Sequence, residues 1–161
     1  MKPKVYLETT VVSLLTARPT RDVVMAAMIQ QTNDWWTQKR EHFDLYVAEP
    51  VFREATKGDS DAARRRIEVL RKLNVLPATE QSLRLARSFL AHFAMPAKAA
   101  DDALHVAIAA THGLSYLLTW NCRHIANVTM RPKLEALCLL ENLRCPLICT
   151  PPELMGDANE K

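Results

Sequence analysis

Glycine is scarce in this sequence, and its scarcity excludes two common nucleotide-binding motifs. The chain of 161 residues contains 3 glycines, at positions 58, 113 and 156, and they are never clustered. A dinucleotide-binding GxGxxG loop and a phosphate-binding GxxxxGK[ST] loop both need closely spaced glycines, so neither can be written anywhere in the chain. We therefore expect no nucleotide cofactor.

Paired cysteines and long apolar runs are missing as well. The 4 cysteines include no CxxC pair, which makes a zinc site a poor interpretation. The first residues, MKPKVYLETT, lack the apolar stretch of a signal peptide, and no run reaches the length of a membrane span. We expect a cytoplasmic protein with reduced thiols and no membrane segment.

The sequence also lacks a strong excess of one charge. Its formal net charge is +3, with 48% hydrophobic and 24% charged residues. This composition excludes a disordered chain, and it permits a nucleic-acid partner without requiring one. A chain of this length buries enough surface for one core. We predict a single domain over residues 1–150, followed by a polar C-terminal tail at 151–161.

Short β-rich runs alternate with longer stretches of helical spacing, a pattern typical of an α/β domain with a parallel sheet. The predicted strands are Val5–Leu7, Leu45–Ala48, Val75–Leu76, Tyr116–Trp120 and Leu147–Cys149. The predicted helices cover residues 21–40, 49–57, 60–72, 80–94, 99–112 and 130–143. No internal repeat or linker interrupts this alternation, which again favours one domain.

Acidic and amide side chains follow the predicted strands or begin a predicted helix. They are Glu8, Glu49, Glu54, Asp101, Asp102 and Asn121. In an open parallel sheet the functional crevice lies at the carboxyl ends of the strands, and carboxylates that converge there need a neutralising cation. Oxygen ligands suit Mg²⁺ or Mn²⁺. Taken singly, each residue is more often a helix cap or a solvated side chain, so spacing alone leaves the function open.

Three segments together carry a resemblance to a known family. They are VYLETTVVS, LYVAEPVFREATKGD and ADDALHVAIAATHGLSYLLTWNCRHIAN, which lie between residues 5 and 127. Their order and content resemble the PIN-domain family, which includes the toxin nucleases of VapBC-type toxin–antitoxin pairs. The resemblance implies a three-layer α/β/α sandwich around a mostly parallel sheet. It also implies metal-dependent hydrolysis of phosphodiester bonds, usually in RNA.

The resemblance assigns roles to individual residues. Its four site positions fall on Glu8, Glu54, Asp102 and Asn121, the predicted catalytic set, of which Glu8, Glu54 and Asp102 would bind Mg²⁺ or Mn²⁺. Thr9, Asp101 and His105 would lie around these ligands. The cations nearest to the crevice in sequence, and hence the predicted contacts to RNA, are Arg18, Arg21, Arg123 and His124.

Partners are implied in the same way. The resemblance implies an antitoxin protein that covers the acidic crevice, and a homodimer. Trp35, Trp36 and the segment Phe89–Phe93 are apolar enough to contribute to a dimer contact, but each also fits the core of the domain.

Two departures from the family pattern leave a second hypothesis open. The first site position is ordinarily Asp and is the longer Glu8 here, and the fourth is often Asp and is the uncharged Asn121. The alternative is therefore a catalytically weakened PIN-like module that binds nucleic acid or protein. Action on DNA is a third interpretation, although the chain lacks the inserted helical segments of the DNA-cleaving relatives.

Overall fold

Five parallel strands form the centre of the molecule. The computed structural model describes residues 1–156. The strands are β1 (Lys4–Leu7), β2 (Asp44–Ala48), β3 (Asn74–Leu76), β4 (Tyr116–Leu118) and β5 (Leu147–Cys149). They lie in the order β3-β2-β1-β4-β5, and all four ladders are parallel. β1 is the central strand, so the residue that follows it enters the middle of the carboxyl edge.

Seven α-helices surround this sheet within residues 1–156. They are α1 (Thr9–Leu15), α2 (Val23–Gln38), α3 (Glu49–Ala55), α4 (Ser60–Leu70), α5 (Glu80–Ala91), α6 (Ala100–Thr111) and α7 (Arg131–Leu140). One group contains α1, which contacts α2, α3 and α4, and the other contains α5, which contacts α6 and α7. The two groups bury both faces of the sheet, which confirms the predicted α/β/α sandwich.

Helix α1 was not predicted, because its sequence TTVVSLL is rich in β-branched residues that favour strands. The helix forms because Glu8 caps its first turn by accepting a hydrogen bond from the Thr10 N–H. Its residues Val11, Val12 and Leu14 are buried at helical spacing. Packing and capping thus override the local preference, and α1 turns the chain away immediately after β1.

Trp35 and the start of the C-terminal segment both pack against the rest of the domain. Trp35 is fully buried and stacks on Phe43 with ring centroids 5.9 Å apart, so it belongs to the core. The predicted tail begins as a 3₁₀ helix at Pro151–Leu154, which packs against α2, and the rest of the tail from 157 to 161 lies outside the described residues. None of the described helices is long and apolar enough to cross a membrane.

Helix α7 offers a matched test of this core. Leu134 is 0% exposed, whereas Leu139 on the same helix is 73% exposed. We expect Leu134→Ala to lower the free energy of unfolding by about 2–5 kcal/mol, because it leaves a cavity. Leu139→Ala should change it by less than about 0.5 kcal/mol. Urea denaturation followed by circular dichroism measures both, and equal losses would contradict the placement of α7.

Candidate metal centre

The carboxylate of Glu8 is the central feature of the carboxyl edge. Glu8 follows β1 directly and is only 2% exposed. Its Oε2 accepts hydrogen bonds from the Thr10 N–H at 3.1 Å, from the Thr10 hydroxyl, and from the Thr119 hydroxyl at 2.8 Å. The N–H of Glu8 donates to Leu118 O at 3.0 Å, which extends the pairing of β1 with β4. These contacts hold one carboxylate oxygen firmly and leave Oε1 for another ligand.

Glu54 and His105 complete a compact group with Glu8. One ligand atom from each of the three side chains lies within 4.8 Å of the other two. The Nε2 of His105, from α6, contacts Oε1 of Glu54, from α3, as a close hydrogen-bonded pair. The other ring nitrogen, Nδ1, lies 2.7 Å from the hydroxyl of Tyr6 on β1. Three different elements therefore deliver two carboxylates and one imidazole to the same point.

The buried charges shift the pKa values of this group. Burial raises the pKa of Glu8 above its usual range, and His105 together with the Thr10 and Thr119 hydrogen bonds offsets this only in part. Burial by itself would lower the pKa of His105, but the hydrogen bond to Glu54 and the nearby carboxylates raise it. The shift at Glu8 thus reflects burial of its charge, whereas the shift at His105 reflects the carboxylates around it, whose charge a cation would also offset.

Asp102 and Asn121 lie in a second group rather than beside Glu8. Oδ1 of Asp102 accepts from the Asn121 side-chain N–H at 3.1 Å, and its Oδ2 accepts from His124 Nδ1 at 3.0 Å. The carbonyl oxygen of Asn121 accepts from the backbone N–H of His124 at 3.0 Å. Asp102 still contributes to the charge around His105. The two groups are thus neighbours, but the side-chain N–H and carbonyl oxygen of Asn121 both bond within the second group, to Asp102 and to His124.

The other predicted residues are spread around this centre. Thr9 is buried beside Glu8, and its hydroxyl has no hydrogen-bond partner within residues 1–156. Asp101 pairs instead with Arg53 at 2.8 Å. Arg18 forms an ion pair with Asp61 on α4. Arg21 and Arg123 are exposed, as expected of cations that meet a polyanion.

A cleft of about 470 Å³ opens onto the group. Glu8, Thr9 and Glu54 line it together with Lys57 and Trp120. The Trp120 indole N–H donates to the Thr32 hydroxyl at 2.8 Å, which fixes the ring. A larger cavity of about 700 Å³ lies at the opposite ends of the strands, where β2 and β3 begin, and neither Glu8 nor Glu54 lines it.

Sequence reasoning missed Tyr6, Thr10 and Thr119, which hold the group in place. Tyr6 precedes Glu8 by two residues, and alternate residues of a strand face the same side of the sheet. The alternation along β1 could therefore have predicted that Tyr6 lies on the same side as Glu8. Thr10 and Thr119 carry no such signal. Their hydroxyls reach Glu8 because α1 turns sharply after β1 and because β4 lies next to β1.

The donor set fits a divalent metal ion. Two carboxylates converge on a partly enclosed cleft, one of them buried with its pKa raised, and their oxygens are the atoms that Mg²⁺ and Mn²⁺ prefer. The residues that could hold such an ion are Glu8 and Glu54, with His105 beside them and Asp102 in the neighbouring group. Such an ion would offset the negative charge that the protein concentrates there.

Three solved structures share the fold of this chain. VapC20 of Mycobacterium tuberculosis, described as a Sarcin-Ricin loop cleaving toxin, matches with a TM-score of 0.59 and 14% identity over 74% of this chain and 92% of that one. VapBC2 of Rickettsia felis, bound to a DNA fragment from its promoter, matches with a TM-score of 0.50 and 8% identity over 91% of this chain and 97% of that one. DNA-bound VapBC of Salmonella typhimurium matches with a TM-score of 0.50 and 16% identity over 92% of this chain and 98% of that one.

These matches define the class of fold. No family model matches the sequence, and no curated protein matches it. The all-parallel sheet and its helices are those of the PIN-like VapC structures, so the predicted resemblance is confirmed at the level of the fold.

The raised pKa of Glu8 predicts a pH-dependent cost of burying its charge. The folded chain binds the proton of the Glu8 carboxyl more tightly than the unfolded chain does, and this tighter binding adds to the free energy of unfolding. The contribution is complete below the usual pKa of 4.5 and is lost as the pH rises through the raised pKa of the folded chain. In Glu8→Gln this loss is absent. Without divalent ions, we expect Glu8→Gln to exceed the wild type in free energy of unfolding by a margin that grows as the pH rises.

Urea denaturation at a series of pH values measures this margin. Glu141→Gln is the control, because Glu141 is exposed at the end of α7 and its substitution removes no buried charge. Parallel stability profiles for Glu8→Gln and the wild type would contradict the prediction.

Proposed function

We propose that this chain is a metal-dependent endoribonuclease and the toxin of a VapBC-type toxin–antitoxin pair, acting in the cytoplasm. The observation that carries the proposal is the buried Glu8 carboxylate, which converges with Glu54 at the carboxyl end of the central strand. The fold shared with VapC20, whose description names the cleavage of the Sarcin-Ricin loop, supports RNA as the substrate class.

The protein's contribution is to hold charge in place. Glu8 and Glu54, with Asp102 nearby, would hold Mg²⁺ or Mn²⁺, which when bound polarises a phosphoryl oxygen and acidifies water. Thr10 and Thr119 fix the Glu8 carboxylate, so its free oxygen keeps one direction. The reaction adds water to the phosphorus atom and breaks one bond to an ester oxygen.

Substrate binding would come from the rim of the cleft. Lys57 lines it beside the carboxylates and offers a charge to a phosphate. Arg123 and His124 follow β4 in the segment that carries Asn121, and they remain the proposed RNA contacts from sequence. Arg18 stays proposed as well, but its ion pair with Asp61 would have to open first.

A specific observation favours a second candidate, the weakened binding module. Asn121 donates its side-chain N–H to Asp102, and its carbonyl oxygen is taken by the backbone of His124. Neither atom is then directed at an ion near Glu8. In this alternative the cleft binds RNA or a protein without cutting either.

A cleavage assay separates the two candidates. With Mg²⁺ or Mn²⁺, the wild type should cut single-stranded or hairpin RNA, and EDTA should stop the reaction. Glu54→Gln and Asp102→Asn should each lower the rate at least about 100-fold, because Glu54 would hold the ion and Asp102 adds negative charge beside it. Glu49→Gln, on the same helix as Glu54 but exposed and paired with Arg53, should leave the rate within about twofold.

The outcomes decide between the candidates. RNA that is bound but not cut with any metal would support the weakened module. Cleavage that survives both Glu54→Gln and Asp102→Asn would contradict the site. DNA oligonucleotides of the same sequence as the RNA provide the test of substrate class.

An antitoxin partner is supported by the apolar start of α2. Val23 and Val24 are largely exposed there, and the neighbouring Met25 lines the cleft, so a partner that covers the cleft would also bury these side chains. The VapBC structures of similar fold are complexes. A homodimer also remains proposed, and light scattering of the purified chain would test it.

Expression in a bacterial host tests the toxin role. We expect the wild type and Glu49→Gln to arrest growth and Glu54→Gln to permit it, because arrest requires the metal centre. Optical density is compared at matched amounts of soluble protein on immunoblots. Normal growth with soluble wild-type protein would contradict the role.

A further inference from the structure

The ring of His105 is held on both sides in the interior. It is 0% exposed, with Nδ1 at 2.7 Å from the Tyr6 hydroxyl and Nε2 against the Glu54 carboxylate. Tyr6 and His105 also meet edge to face, with ring centroids 5.7 Å apart. A buried imidazole in such a place is a fixed donor atom, because the ring has no room to turn away.

The three donor atoms of the group lie close enough to share one ion. A divalent ion that bonds at about 2.1 Å separates two opposite ligand atoms by roughly 4.2 Å. One atom each from Glu8, Glu54 and His105 already lies within 4.8 Å of the others. The direct contact between Glu54 and His105 would have to open for an ion to enter between them.

A second observation at the same place points to a missing ligand. The hydroxyl of Thr9 is buried next to Glu8 and lacks any hydrogen-bond partner within the described part of the chain. A buried hydroxyl without a partner is costly in free energy. Thr9 also lines the cleft that opens onto Glu8 and Glu54. A hydrated ion in the group would bring water molecules within reach of this hydroxyl.

We infer that His105 Nε2 is a direct ligand of the metal ion, beside Glu8 and Glu54, and that Tyr6 is the residue that positions its ring. This inference rests on the metal dependence of the proposed function. Asp102 precedes His105 by one helical turn, and in the structure it is engaged by Asn121 and His124. The ion is therefore bound directly by two carboxylates and one nitrogen.

Tyr6 suits this role because its hydroxyl is both a donor and an acceptor. In the tautomer with its proton on Nε2, His105 donates to Glu54, and Nδ1 accepts from Tyr6. With an ion on Nε2, Nδ1 carries the proton and donates to the Tyr6 oxygen. The ring thus keeps its orientation in both tautomers.

A nitrogen ligand has a consequence for the choice of metal. Mg²⁺ prefers oxygen ligands and keeps much of its water, whereas the later divalent ions accept imidazole more readily. We expect the wild type to bind Mn²⁺ more tightly than Mg²⁺ in calorimetry, and His105→Asn to narrow this difference.

Pulsed electron paramagnetic resonance of the Mn²⁺-loaded chain tests the inference directly. A nitrogen bonded to Mn²⁺ shows a large hyperfine coupling in the electron spin echo modulation, whereas a histidine outside the coordination sphere shows a much smaller one. The modulation with the large coupling is therefore the one that identifies a bonded nitrogen. We expect the modulation in the wild type and in His124→Asn, and its loss in His105→Asn. His124 is the matched control, since it too is a histidine paired with a carboxylate at this edge of the sheet, with a side chain that is 15% exposed.

Tyr6→Phe supplies a second measurement that does not depend on whether His105→Asn folds. Loss of the positioning hydroxyl should weaken Mn²⁺ binding by about 10-fold, the lower part of the range for partners of metal ligands. Tyr46→Phe is its control, because Tyr46 pairs with Tyr6 in the neighbouring strand β2, where its ring contacts Lys4 instead of His105. Equal affinities for Tyr6→Phe and Tyr46→Phe would overturn the positioning role.

The inference and the nuclease proposal fail separately. Mn²⁺-dependent cleavage without nitrogen modulation in the wild type would overturn His105 as a ligand and leave the nuclease intact. Loss of modulation in His124→Asn, or its survival in folded His105→Asn, would also overturn the inference. Modulation assigned to His105 without cleavage of any RNA would support the metal centre and count against the nuclease.

Discussion

The burial of one negative charge organises this molecule. Glu8 sits at the end of the central strand with almost no exposure, and its carboxylate is kept there by two hydroxyls and a backbone N–H. A carboxylate in such surroundings is costly unless hydrogen bonds and opposite charge compensate it. The donation from Thr10 requires α1 to start immediately after β1, and the donation from Thr119 requires β4 beside β1. The same arrangement of strands and of α1 that builds the sheet therefore also supplies the hydrogen bonds that stabilise Glu8.

The same edge divides its polar side chains into two adjacent groups. Glu8, Glu54 and His105 share one, whereas Asp102, Asn121 and His124 share the other. Helix α6 supplies a member to each, because Asp102 and His105 are one turn apart and lie on the same side of the helix. A metal ion in the first group would have the second group as its neighbour. Asn121, which stands where the family often has Asp, therefore lies outside the group formed by Glu8, Glu54 and His105.

Particular residues show what could be predicted. The parallel sheet followed from the alternation of apolar runs, and Glu8 and Glu54 follow strands whose carboxyl ends must meet in such a sheet. Helix α1 could not be read from TTVVSLL, since its stability comes from the Glu8 cap and from burial. The ion pair between Arg18 and Asp61 could not be predicted from the sequence either, because these residues are 43 positions apart and approach each other only when α4 packs on α1.

The sequence by itself determined the class of fold and which predicted strand ends carry acidic side chains, because both depend on periodicity and on the order of the residues along the chain. Only the tertiary structure decided which of these side chains touch. The scarcity of glycine already excluded a phosphate-binding loop, and the structure places at this edge a carboxylate group instead. Contacts such as Tyr6 with His105 join residues 99 positions apart. Their distances depend on how the helices pack against the sheet, and no local pattern encodes that packing.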